Sequence, residues 1–445
     1  MASQARQRRT PAAGSKAADG DDVSVAADVT AAGNSTSPSG APSSTPAGDN
    51  SKKQTDGPVT ANGHASTSGE PADGGAPGQA SDSKTSKASA DERAAAPAAP
   101  SARQLTQYYR DMLLVRRFEE RAARAYTEAL IGGYCHLNLG EEAAVIGLMA
   151  ALKPTDYLFT NYREHGYALM RGIDPNKVMA ELYGRVDGVS KGWGGSMHMF
   201  DITHRLLGGY GIVGGQLPLA TGAALAIDYR ETGDVVMCTM GDGTAAIGAF
   251  HESLNIAALW NLPVVFVVIN NHLGMGTTVE HSSAEPELWK RGAAYRMAAA
   301  RVDGWDPVAV YQAATVAIET ARSGRPYLLE VITERLKGHS VVDPAKYRSA
   351  EENERLKAAD PLHLYAEKLI ADEIFDELDI AEIEREVAAT VADAAAFAAN
   401  SPSPSVETLF DYTYASPVPN DSRRLPGQAL FPQAPLPDTS GSVTP

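Results

Sequence analysis

Two apolar runs, Val235–Met240 and Val264–Ile269, are rich in β-branched residues and do not alternate with polar ones. That is the pattern of strands buried on both faces of a parallel sheet. Between them Phe250, Leu254, Ala257 and Ala258 recur at helical spacing. The unit predicts strand, helix, strand, and a right-handed crossover sets the two strand ends side by side. Another buried strand is expected at Tyr327–Thr333. Helices are expected from Leu105, Tyr109, Met112 and Val115 up to a break at Gly132-Gly133, at Glu141–Leu152, at Gly215–Tyr229 and at Pro307–Ala321. A late helix carries the stripe Ile380, Ile383, Val387 and Val391, while the Gly-rich Tyr183–Gly211 reads as a long ordered loop. Helices alternating with apolar strands predict an α/β fold, a doubly wound, mostly parallel sheet flanked by helices.

Composition divides the 445 residues into three. Residues 1–100 hold almost no aromatic or long aliphatic side chain and predict a disordered low-complexity extension. Residues 101–414 supply one large domain, and the Pro-rich 415–445 reads as a tail. The net charge of −16 argues against nucleic acid and anionic membrane as partners. No apolar run approaches transmembrane length, and the two cysteines, Cys135 and Cys238, fit a reducing compartment. Arg6, Arg8, Arg9 and Lys16 resemble a transit peptide only until the acidic stretch from Asp19, so a bacterial cytoplasm is expected rather than a mitochondrial matrix.

Candidate chemistry sits at the ends of the two central strands. Asp242 stands between two glycines directly after the first run, and Asn270-Asn271 directly after the second. The crossover brings Asp242 and Asn271 to one crevice at the carboxyl edge of the sheet, where open α/β sheets bind ligands. A carboxylate, a carboxamide and a Gly-rich turn suit Mg²⁺ with a diphosphate; zinc would call for Cys or His. The glycines allow close backbone approach to a phosphate, and the following helix N-terminus favours its charge.

This spacing, GDG and then NN after about thirty residues, resembles the thiamine-diphosphate motif. From about Gln104 to about Tyr414 the chain is similar to the alpha subunits of heterotetrameric 2-oxo acid dehydrogenases of the pyruvate dehydrogenase type. The resemblance implies that Asp242, Asn271 and the carbonyl of Leu273 hold Mg²⁺, and that Gly243 and Thr244 meet the diphosphate through their amides. It further implies that Tyr162 and Arg163 in LFTNYREHG reach the diphosphate, with a planar guanidinium suited to bidentate contact. Tyr134 and His136 would line the pocket, with Gly211, Ile212 and Val213 against the aminopyrimidine ring. His339 in RLKGHSVVDPAKYR would approach the reacting centre and help acyl transfer to a lipoyl arm; His136 is the second catalytic candidate. Ser340 matches a phosphorylated position of mitochondrial relatives but reads here as a structural loop serine. His165, His198, His251 and His281 lack metal spacing and read as structural or surface residues.

Gly209–Gly214 also matches the G-x-G-x-x-G dinucleotide pattern. No buried strand is expected directly before it, which sets a nicotinamide site aside. Two positions depart from the family: Ala246 stands where an Asn is frequent and Leu273 where a Tyr is frequent. The resemblance implies pyruvate as substrate, with acetoin or branched-chain 2-oxo acids as alternatives and a non-catalytic scaffold subunit as a remote one. It also implies a beta subunit that supplies the glutamate beside the pyrimidine ring, an α₂β₂ assembly and a lipoyl acyltransferase core. Residues 101–414 have room for only one of the two domains such a cofactor needs.

Overall fold

A computed structural model describes residues 98–409 and 411–412 of the chain. The expected N-terminal extension up to residue 97, the domain end at Tyr414 and the tail from residue 415 lie outside the described residues. The strands are β1 Tyr157–Asn161, β2 Leu206–Tyr210, β3 Val236–Gly241, β4 Val264–Asn270, β5 Leu273–Gly274, β6 Thr277–Thr278, β7 Ala298–Asp303 and β8 Tyr327–Ile332. Six of them form one parallel sheet in the order β2-β1-β3-β4-β8-β7, while β5 and β6 make a separate small hairpin. The helices are α1 Ala102–Thr127, α2 Glu142–Ala151, α3 His165–Met170, α4 Pro175–Leu182, α5 Gln216–Arg230, α6 Gly248–Trp260, α7 Val279–Ser282, α8 Pro307–Arg322, α9 Ala350–Ala358, α10 Pro361–Ala371 and α11 Glu377–Asn400.

Burial on both faces makes β4 apolar without alternation. Val265, Val267 and Ile269 pack into a core shared with Met112 and Val115 of α1, Val145 and Leu148 of α2 and Val310 of α8. Val264, Phe266 and Val268 enter the opposite core with Leu217 of α5 and with Phe250 and Leu254 of α6. Each such side chain contributes about 1.5–3 kcal/mol of burial, so the sheet is held from both sides as the doubly wound reading requires.

Three strands of the six-stranded sheet were not expected, for local reasons, and neither was the β5–β6 hairpin. β1 is short, β7 runs half-exposed along one edge, and β2 carries Gly208 and Gly209 at the other edge. The Tyr183–Gly211 loop is therefore corrected at its end: a strand does precede the glycine motif. The opening helix stops at Thr127, before Gly132-Gly133. Ala129 takes φ 59° and the Leu130 amide donates to Ala125 O at 2.9 Å, a left-handed stop made without a glycine.

The strand order creates the crevice. After β1 the chain moves outward to β2, then returns to the far side of β1 as β3. The carboxyl ends of β1 and β3 thus diverge at a topological switch point, where open α/β sheets bind their ligands. No helix among the described residues is long and apolar enough to cross a membrane.

A buried ion cluster ties the helical layer together. The Arg116 guanidinium donates to Glu142 at 2.6 Å and, bidentately, to Asp360 at 2.6 and 2.9 Å. Glu142 is fully buried, so removing its cation strands a charge. Arg116→Ala is expected to lower stability by about 3–5 kcal/mol, read from urea denaturation of the chain. A loss under about 1 kcal/mol would show that Glu142 is not sustained by this pair.

Candidate functional site

The loops after β1, β3, β4 and β8 and the segment before α2 enclose a cavity of about 560 Å³. Every residue that the resemblance assigned to cofactor or metal lines it except Ile212, which is exposed. Tyr162 and Arg163 come from the end of β1, and Asp242, Gly243 and Thr244 from the turn after β3. Asn271 and Leu273 follow β4, His339 follows β8, and Tyr134 and His136 precede α2. Gly211 and Val213 close one side. Ala246 is exposed and outside the lining, so the missing Asn side chain removes no contact from this cavity. Ser340 is buried, in keeping with a structural serine.

The register of β3 on β4 pairs Gly241 with Ile269, which sets Asp242 and Asn271 just beyond the same sheet edge. The two asparagines divide their work. Asn270 is structural: its Nδ2 donates to Glu330 at 2.7 Å and its Oδ1 accepts the His272 amide at 3.0 Å. Asn271 donates Nδ2 to Glu141 Oε1 at 3.1 Å, while its buried Oδ1 has no partner. Burial pushes the Asp242 carboxyl up to about 6 against the pull of Arg335. A desolvated carboxylate beside an orphaned amide oxygen is a donor set for a hard cation, so these residues fit Mg²⁺. Among the described residues no three His, Cys, Asp or Glu side chains gather as a metal site. A cation here would rest on one carboxylate, one carboxamide and a backbone carbonyl.

Arg163 is placed as expected but used differently. Its guanidinium donates to the carbonyls of Leu137 and, at 3.0 Å, His339, and its Nε lies 3.6 Å from Glu141. Those N–H groups are committed to the protein, and Arg163 adds its charge to the cavity. Arg335, unassigned from sequence, adds a second guanidinium, bonded to Met275 O at 2.8 Å and to His339 Nδ1 at 3.0 Å. A guanidinium only donates, so His339 Nδ1 accepts and the neutral ring carries its proton on Nε2. Burial, then Arg163 and Arg335, pushes the His339 imidazole down to about 4. His136 is pushed down to about 3 by burial, Arg163 and His339. The cavity thus presents two neutral imidazoles and two fixed cations, a setting for a polyanion.

The family model described as dehydrogenase E1 component matches residues 110–407. The chain belongs to that family. It is 46% identical over 310 residues, 69% of this chain and 87% of the relative, to the pyruvate dehydrogenase E1 component subunit alpha of Zymomonas mobilis. The protein of that name from Rhizobium meliloti is 46% identical over 304 residues, covering 68% and 87%. That of Rickettsia felis is 41% identical over 316 residues, covering 71% and 97%.

In this E1 chain the histidine of YREHG, His165, is fully buried and structural. Its Nδ1 lies 2.9 Å from Glu119 and its Nε2 2.8 Å from Ser196 Oγ, which accepts the His136 amide at 3.2 Å. The relay holds the segment that carries His136. Sequence reasoning assigned no site role to Glu141, whose partner Asn271 is 130 positions away, or to Arg335, which bonds His339 four positions on and Met275 sixty positions back.

The glycine motif also has an internal explanation. A Cβ on Gly209 would lie 2.1 Å from the Glu164 carboxyl, and Gly214 has φ +78° with Ile247 where a Cβ would go. Of the motif's glycines Gly211 alone lines the cavity. Gly209→Ala is expected to cost about 1–3 kcal/mol by overpacking against buried Glu164. In a Glu164→Ala background the same change should cost little, a non-additivity that urea denaturation of the four variants measures. Equal costs in both backgrounds would exclude the Glu164 contact as the reason for this glycine.

Proposed function

We propose that the chain is the alpha subunit of a pyruvate dehydrogenase E1 component, binding thiamine diphosphate and Mg²⁺ at the switch between β1 and β3. The observation that carries this reading is desolvated Asp242 facing the same cavity as the partnerless Asn271 Oδ1, with Arg163 and Arg335 beside them. The names borne by the relatives favour pyruvate over acetoin and branched-chain 2-oxo acids. Retention of Asp242, Asn271, Arg163 and His339 in one cavity argues against a non-catalytic scaffold.

When bound, thiamine diphosphate supplies the nucleophilic carbon that attacks a 2-oxo group and the electron sink for loss of CO₂. Asp242, Asn271 Oδ1 and the Leu273 carbonyl would hold the cation. The amides of Gly243 and Thr244, at the start of a short helical turn, meet the diphosphate, and the fixed charges of Arg163 and Arg335 offset its negative charge. Neutral His339 holds a proton at Nε2 for the reacting centre and, in the full complex, for acyl transfer to a lipoyl arm.

The rim of the cavity is apolar and open: Tyr134 is 64% exposed and Met275 65% exposed, with Ile212 and Val213 alongside. A beta subunit that brings the pyrimidine-side glutamate would cover this rim, and α₂β₂ is the closed symmetric form. Its setting is a bacterial cytoplasm, with a lipoyl acyltransferase core as the next partner.

Two outcomes test the reading. Asp242→Ala is expected to stay folded and, in the assembled enzyme, to lose retention of thiamine diphosphate at micromolar concentration, since the diphosphate is then left without its cation. Calorimetric titration with cofactor and Mg²⁺ reads this, and unchanged affinity would remove the site assignment. The full chain purified from a host without a related partner is expected to give no pyruvate-dependent reduction of an artificial electron acceptor. Robust turnover by the single polypeptide would refute the half-enzyme reading.

A further inference from the structure

We propose that Glu141 is the positioning residue that holds the Asn271 carboxamide with its oxygen toward the cation site, an inference that rests on the Mg²⁺ reading above. A carboxamide presents oxygen on one side and NH₂ on the other, so a half-turn of its terminal bond exchanges ligand for non-ligand. An ionised carboxylate accepts hydrogen bonds and donates none, so Glu141 admits only one of the two orientations. Asn271 must turn Nδ2 to Glu141 Oε1, at 3.1 Å, and this leaves Oδ1 as the buried acceptor without a partner.

Glu141 is itself held for this task. Its other oxygen accepts Asn138 Nδ2 at 3.2 Å, and Arg163 Nε stands 3.6 Å from Oε1. Its backbone amide donates to Asn138 O and its carbonyl accepts the Val145 amide, both at 2.9 Å, which fixes it at the start of α2. The helix N-terminus favours a negative charge there. With both carboxylate oxygens engaged and 3% of the residue exposed, Glu141 orients a ligand rather than serving as one.

The test compares wild type, Glu141→Leu and Glu141→Gln, each as the full chain assembled with its partner subunit. Mn²⁺, a paramagnetic stand-in for Mg²⁺, is titrated by electron paramagnetic resonance at saturating thiamine diphosphate, so the readout does not depend on turnover. Glu141→Leu removes the acceptor and is expected to weaken Mn²⁺ binding by about 10–100-fold, the usual effect of losing such a partner. Glu141→Gln keeps one oxygen for Asn271 Nδ2 but adds an NH₂ that can donate to Oδ1, and is expected to recover part of that loss. Wild-type affinity in the Leu variant overturns the proposal, as does a Gln variant as weak as the Leu variant, which would mean that charge matters and not orientation. If wild type binds Mn²⁺ and these variants do not separate, only the role of Glu141 fails; if wild type binds none, the cation site itself fails and the proposal with it. Should the Leu variant not fold, a crystal structure of the wild-type assembly with Mn²⁺ and thiamine diphosphate decides. Asn271 Oδ1 on the metal with Nδ2 on Glu141 supports the proposal, and Glu141 on the metal overturns it.

Discussion

The guanidinium of Arg163 is the tie on which the crevice depends. It leaves the end of β1, accepts the neighbourhood of Glu141 from the start of α2, and bonds the carbonyls of Leu137 and His339. Those carbonyls belong to the segments that carry His136 and His339, so one buried side chain fixes three loops from three parts of the chain. A buried cation must be paired and hydrogen-bonded or its desolvation would unfold the site, and here every loop it touches supplies part of that compensation. Loops lacking regular structure are otherwise the least constrained parts of an α/β domain. The same arginine ties together loops that no long strand or helix of the sheet layers holds at the rim.

That tie works because the sheet delivers its ends to one place. Parallel strands buried on both faces must be covered by helices on both sides, and the crossovers that provide them send every strand in one direction. All six carboxyl ends therefore face one edge, and reversal of strand order between β1 and β3 opens a crevice there. The packing side chains of β3 and β4 stop at Met240 and Ile269; the candidate ligands come two residues on, at Asp242 and Asn271.

How much of this was legible follows from where the information lay. β3, β4 and β8 announced themselves because burial on both faces writes an apolar run, broken inside only by Thr239 in β3 and Glu330 in β8. β2 and β7 did not, since an edge strand keeps one side half-exposed and can tolerate glycine or alanine. Asp242 and Asn271 were readable because a turn motif and a strand end fixed their place. Glu141 was readable only as a helix start because its partner Asn271 is far off in sequence, and Arg335 only as part of a loop because nothing in the loop's sequence fixes its bond to His339. The protein partners of Arg163 were not readable for the same reason: a side chain's type shows what it can bond, and packing decides what it does bond.

The charge arrangement carries one further consequence for how such a site handles protons. Arg163 and Arg335 cannot be deprotonated, and each lowers the proton affinity of His339 beyond what burial does. His136, edge-on to His339 with ring centroids 5.1 Å apart, is pushed down by burial and then by Arg163 and His339. Both imidazoles are then neutral near pH 7, and the bond from Arg335 assigns the His339 proton to Nε2. The cavity thereby separates two tasks that a protonated histidine would mix. Permanent positive charge, which binds an anion, rests on guanidiniums that do not titrate; the transferable proton rests on a neutral ring whose orientation a guanidinium fixes. Loading the site with a polyanion and a cation changes the electrostatic field of both rings, while leaving the number of fixed positive charges untouched.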